Sequence, residues 1–98
     1  MPAYLVADVE VLDRDLYDEY RKGVAATVAA YGGRFLVRGG AIEPQEGHWA
    51  PKRLVVLEFP SVEQARAWID SPEYAPARRL RQLSATSNLI VVDGVVPA

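Results

Sequence analysis

Hydrophobic and polar positions divide the chain into short blocks whose period switches between two and 3.6. Residues 3–11 alternate and read as a strand with Tyr4, Val6, Asp8 and Glu10 on one face. Asp13 then caps a predicted helix over 14–31, because Leu16, Tyr17, Tyr20, Val24, Val28 and Tyr31 recur every three or four residues. Gly23 weakens that helix, and Gly32 suits the left-handed residue that ends one. Residues 34–38 alternate as a second strand, which Gly39-Gly40 closes or bulges. A polar loop over 41–51 leads to a third strand at 53–59. Ser61-Val62-Glu63-Gln64 has the form of a capping box, with the Gln reaching back to the cap. The helix it opens buries Ala65, Trp68 and Ile69 and is stopped by Ser71-Pro72 near Asp70. Pro76 suits the first turn of a short helix over 76–84 with Ala77, Leu80 and Leu83 inward. Residues 88–93 read as the last strand.

The order β-α-β-β-α-β is that of the ferredoxin-like arrangement, an α+β fold with helices over one face of a four-stranded antiparallel sheet. Leu54-Val55-Val56-Leu57 and Leu89-Ile90-Val91-Val92 are nevertheless apolar on both faces, as in strands covered on both sides. The helices cover one side, so a second copy is expected over the other, as a homodimer packed sheet to sheet.

Composition adjusts this picture at a few points. The length of 98 residues suits a single domain over 1–98 that buries about 60–70% of its unfolded surface, a marginal core for a monomer. Half of the residues are hydrophobic and 24% are charged, which excludes a disordered chain. The net charge is −2 with both signs interspersed, so no nucleic-acid or membrane-surface partner is expected. With no cysteine there is no disulfide and no thiolate nucleophile, and with a single histidine no zinc site is expected. No basic region precedes a long apolar stretch at the N-terminus, and no apolar run approaches the ~20 residues of a membrane helix. A cytoplasmic protein without a cofactor is the resulting expectation.

Several runs carry a family resemblance: Tyr31-Gly32-Gly33-Arg34, Arg38-Gly39-Gly40, Trp49-x-Pro51-x-Arg53-Leu-Val-x-x-Glu-Phe-Pro-Ser, and Ala67-Trp68-x-x-Ser71-Pro72-Glu73-Tyr74. Together they resemble the domain-of-unknown-function family 1330, over nearly the whole chain. The resemblance implies the dimeric α+β barrel superfamily, which includes muconolactone isomerases, polyketide cyclases, small monooxygenases, chlorite dismutases and stress-response proteins, so the fold does not select a function. Family members often carry a Tyr directly after the Trp of the second helix, where this chain has Ile69.

The topology brings the ends of strands one and two, the starts of helix one and strand three, and the end of helix two to one edge. Asp8, Glu10, Tyr17, Arg38, His48, Trp49, Arg53 and Tyr74 fall there. Asp8, His48 and Tyr17 are the candidate proton-transfer residues; Arg38, Trp49, Arg53 and Tyr74 are the candidate substrate-binding residues. A guanidinium can hold a carboxylate bidentately, and the imidazole of the only histidine is a side-chain type suited to a general base. Each also has a plainer role. Asp8 and Arg38 can pair between protomers, His48 can simply be exposed in its loop, the tryptophans and tyrosines can be core, and Arg78, Arg79 and Arg81 read as a solvated helix face. Two functions fit: a cofactor-free isomerase, cyclase or monooxygenase on a small anionic or aromatic metabolite, or a non-catalytic ligand-binding or dimerisation module.

Overall fold

A computed structural model describes residues 2–95. The elements run β1 (Ala3–Val11), α1 (Arg14–Ala30), β2 (Arg34–Arg38), β3 (Arg53–Phe59), α2 (Val62–Ile69), α3 (Ala75–Ser84) and β4 (Ala85–Asp93). The four strands form one antiparallel sheet in the order β2-β3-β1-β4. This is the α+β, ferredoxin-like arrangement expected from the hydrophobic pattern.

Alternation along β1 decides which residues meet the helices. Ala3, Leu5, Ala7 and Val9 are buried, while Tyr4, Val6, Asp8 and Glu10 face the other way. The buried residues join Tyr17, Tyr20, Val24 and Val28 of α1, Leu57 and Phe59 of β3, and Ala65 and Trp68 of α2 in one core. The first two helices open as expected at the N-terminus: the Asp13 carboxylate accepts from the Leu16 amide at 3.1 Å, and the Ser61 hydroxyl from the Gln64 amide at 3.1 Å. The second half of the Ser61 box does not form. The Gln64 carboxamide instead donates to the Tyr31 carbonyl at 3.0 Å, one of the acceptors that the end of α1 leaves without an intrahelical partner.

Two further boundaries differ from expectation. β4 begins at Ala85 rather than 88, because Ala85, Thr86 and Ser87 pair with Val11, Glu10 and Val9 of β1. α3 buries Arg81 and Ser84, while Leu83 is 66% exposed. Its inward stripe is Tyr74, Ala77, Arg81 and Ser84, spaced 3-4-3, so helical geometry overrides the hydrophobicity of Leu83.

The helix-free face carries an apolar row across all four strands. Val37 pairs with Val56, Val56 with Val6, and Val6 with Ile90. Ile90 is 60% exposed and Val92 45%, the two-faced character that their strands already showed in sequence. Among the described residues no helix is long and apolar enough to cross a membrane.

Candidate functional site

The helix-covered side of the sheet contains three neighbouring spaces that share lining residues. A vestibule of about 320 Å³ is lined by Val11, Arg14, Tyr17, Asp18, Arg21 and Arg53. A throat of about 20 Å³ lies beneath it, among Tyr17, Tyr20, Phe35, Arg38, Arg53 and Val55. An inner cavity of about 30 Å³ follows, between β1 and the helices, walled by Tyr20, Trp68, Tyr74, Arg81, Leu89 and apolar strand residues. Tyr17 borders all three. The inner cavity holds about two waters, whereas the vestibule has the volume of a small-ligand site.

Local chain geometry sets the residues at the mouth. Arg53 opens β3, and its Nε donates to the Tyr17 hydroxyl at 3.2 Å. The phenolic oxygen is thus an acceptor here, and its own proton stays available to donate. Arg38 comes to the same side through a bulge: the register jumps between Phe35 and Val37, so Phe35 and Arg38 face the helices together. The Arg38 guanidinium lies 4.2 Å from the centre of the Phe35 ring and donates to the Arg21 carbonyl at 3.2 Å. Gly39 follows with φ +74, and a Cβ there would collide with the Arg53 guanidinium. This glycine therefore supplies both the left-handed turn and the space in which Arg53 sits.

Aromatic rings continue inward. Tyr17 and Tyr20 lie 5.3 Å apart, Tyr20 and Tyr74 6.5 Å, and Tyr74 stacks on Trp68 at 3.9 Å. The Ser71-Pro72 turn orients Tyr74, since the Ser71 hydroxyl accepts from the Tyr74 amide at 3.1 Å and donates to the Trp68 carbonyl at 2.8 Å. The Trp68 indole donates to Thr27 at 3.0 Å, which fixes its ring against α1. Tyr20 and Tyr74 share a hydrogen bond at 3.2 Å, and Arg81 donates to Tyr74 at 3.2 Å. Burial, reinforced by Tyr74, pushes the Tyr20 phenol well above its usual range, with Arg81 opposing; Tyr20 remains protonated at physiological pH.

The cluster expected at one edge divides between the two faces of the sheet. Tyr17, Arg38, Arg53 and Tyr74 come together on the helix side. Asp8 lies on the opposite face, where its carboxylate accepts from the Trp49 indole at 3.1 Å and the Lys52 amide at 3.2 Å. Trp49 folds over that face beside Val6 and Ile90, and Glu10 lies near Lys52 and Thr86. Sharing an edge is not sharing a face: Asp8 alternates with the buried Ala7 and Val9, so the sheet separates it from Tyr17. No Asp8–Arg38 ion pair forms within the protomer. His48 sits in an exposed stretch over 41–50 and makes no side-chain hydrogen bond among the described residues. Among the described residues no group of His, Asp or Glu could hold a metal ion.

Sequence reasoning missed Tyr20, Arg81, Arg14, Arg21 and Gly39. For Arg81 a signal existed, since extending the stripe from Tyr74 by 3-4-3 places it inward. For Gly39 none did, because the space it leaves is filled from another strand.

Fold and cleft together define a small α+β domain of ferredoxin-like topology, with an arginine-lined mouth over a tyrosine-lined interior. The chain belongs to the family described as "Domain of unknown function (DUF1330)", whose model matches residues 2–95. No curated protein matches the sequence. Among solved structures it is similar to the RPA0582 protein of unknown function from Rhodopseudomonas palustris, with 24% identity, TM-score 0.71, and coverage of 98% of this chain and 84% of that one. It is also similar to SnoaB, a cofactor-independent oxygenase from Streptomyces nogalater, with 14% identity, TM-score 0.66, and coverage of 98% and 95%. A third is Rv0793 from Mycobacterium tuberculosis, with 17% identity, TM-score 0.62, and coverage of 100% and 99%. At these identities the likeness is one of fold.

Proposed function

We propose that this protein is a cytoplasmic homodimer whose protomers each act, without a cofactor, on a small anionic and partly aromatic metabolite. The reaction class is isomerisation, cyclisation or oxygenation. The observation that carries the reading is the Arg53–Tyr17 hydrogen bond between vestibule and throat. Arg53, with Arg38 close by, holds the anion, and Tyr17 donates its free proton to oxygen charge that develops on the substrate. The Tyr17 ring, which borders the vestibule, offers a face against which an aromatic body packs. SnoaB, of the same fold, is a cofactor-independent oxygenase, which supports chemistry of this kind in this scaffold.

The dimer is supported by the apolar row Val37, Val56, Val6 and Ile90 on the open face, with Trp49 at its side. A fold held by packing, with no cysteine, suits the reducing cytoplasm.

A second reading, ligand binding without turnover, is favoured by one observation: neither Asp8 nor His48 reaches the cleft, and the one carboxylate lining the vestibule, Asp18, lies 4.0 Å from the Arg21 guanidinium. Titration calorimetry with benzoates and phenols, followed by turnover assays on those that bind, decides. Binding that is lost in Arg53→Ala, with turnover lost in Tyr17→Phe at unchanged affinity, supports the enzyme. Binding without turnover supports the second reading, and affinity unaffected by Arg53→Ala overturns both.

A further inference from the structure

Arg81 is a buried cation with no buried anion beside it. It lies on α3 with 9% of its surface exposed, and it lines the inner cavity. None of the four ion pairs among the described residues includes it. Its Nε donates to Tyr74, which leaves the four Nη hydrogens without an acceptor among the described residues. Tyr74 and Tyr20 share one hydrogen bond between two hydroxyls. Whichever of them donates, one phenolic proton is left over. The cluster therefore holds five hydrogens to give and no negative charge. The Arg81 Nη atoms are not sealed off, since Ser87 Oγ is the one fully buried side-chain polar atom without a partner among the described residues; they stay open to solvent, and a sheltered guanidinium with free donors favours an anion that can reach it.

We infer that Arg81, Tyr20 and Tyr74 form an oxyanion receptor at the inner end of the cleft, which makes the ligand two-headed: one anionic group at Arg53 in the mouth, a second at Arg81 inside, and an apolar body between them. This deepens the proposed function and rests on the same cleft. The inner cavity of about 30 Å³ matches a single carboxylate or enolate head. The throat of about 20 Å³ is narrower than a ring, so ligand entry requires the Arg53–Tyr17 contact to part.

Two measurements test the receptor. Crystals of the wild-type protein are soaked in iodide, a small anion visible by anomalous scattering, and density is expected against the Arg81 guanidinium. This step needs no variant. The three benzenedicarboxylates are then titrated beside benzoate into wild type, Arg53→Ala and Arg81→Met. At least one dicarboxylate is expected to bind about tenfold or more tighter than benzoate, and Arg81→Met is expected to abolish that advantage. Iodide at Arg81 without any benzoate binding sinks the metabolite reading and leaves the receptor standing. Benzoate binding that depends on Arg53 and ignores Arg81→Met, with no iodide at Arg81, overturns the receptor alone.

Discussion

The Arg53 guanidinium lies 5.5 Å from the centre of the Tyr17 ring while its Nε donates to that ring's hydroxyl at 3.2 Å. One side chain thus ties the start of β3 to the first turn of α1 and places a cation at the mouth of the cleft. Tyr17→Phe keeps the ring and removes the acceptor. Stability is expected to fall by about 1–2 kcal/mol, read as a lower urea midpoint at unchanged slope. Arg53→Lys keeps the charge without the planar fork and is expected not to restore the midpoint.

Gly39 and Arg53 occupy one volume between them. Gly39→Ala forces a side chain onto φ +74 and into the guanidinium, so it costs about 1–3 kcal/mol in strain and expels Arg53 from its seat. Ligand affinity is expected to drop as far as in Arg53→Ala. A Gly39→Ala protein that is destabilised yet binds normally shows that Arg53 needs no such seat.

Val56 stands in the middle of the open-face row, paired with Val37 on one side and Val6 on the other. Sedimentation of the wild type at micromolar concentration is expected to give twice the chain mass of 10.8 kDa. Val56→Asp places a carboxylate in that row and is expected to yield monomers with unchanged far-UV circular dichroism. Trp49, 65% exposed in the protomer, is expected to be shielded from acrylamide in the dimer and quenched in the variant. A monomeric wild type removes the dimer from the proposal.

The Tyr31 hydroxyl donates to the Glu73 carboxylate at 2.6 Å, linking the end of α1 to the turn before α3. That bond lowers the Glu73 carboxyl below its usual range and raises the Tyr31 phenol above its own. A depressed acid stabilises the fold above its unfolded pKa and ceases to as pH falls through the folded value. A raised phenol stabilises below its unfolded pKa and ceases to as pH rises through the folded one. The melting-temperature gap between wild type and Tyr31→Phe is therefore expected to be widest between about pH 5 and 9 and to narrow on both sides. A gap that does not change from pH 3 to pH 7 shows that the bond contributes nothing through Glu73.

The candidate site was less legible than the fold. Tyr17, Arg53, Arg38 and Tyr74 were singled out from sequence and do gather at one cleft. Asp8 and Trp49 were singled out with them, and they meet each other on the far face of the sheet. Arg81 read as solvated because charge is a good guide to exposure on average. It is a poor guide when a helix's inward stripe passes through the charged position.

The order of elements, both side-chain-capped helix starts, the end of α1 at Gly32 and the two-faced apolar strands follow from local rules. A periodicity of two or 3.6, a capping side chain and a left-handed glycine each act within a few residues. Only the tertiary structure decided which side of the sheet each polar residue serves. The bulge at β2 turned Arg38 toward the helices, the space at Gly39 admitted Arg53 from the next strand, and Tyr74 and Tyr20 met 54 residues apart. These outcomes depend on register and on volumes shared between distant segments, which no local pattern encodes.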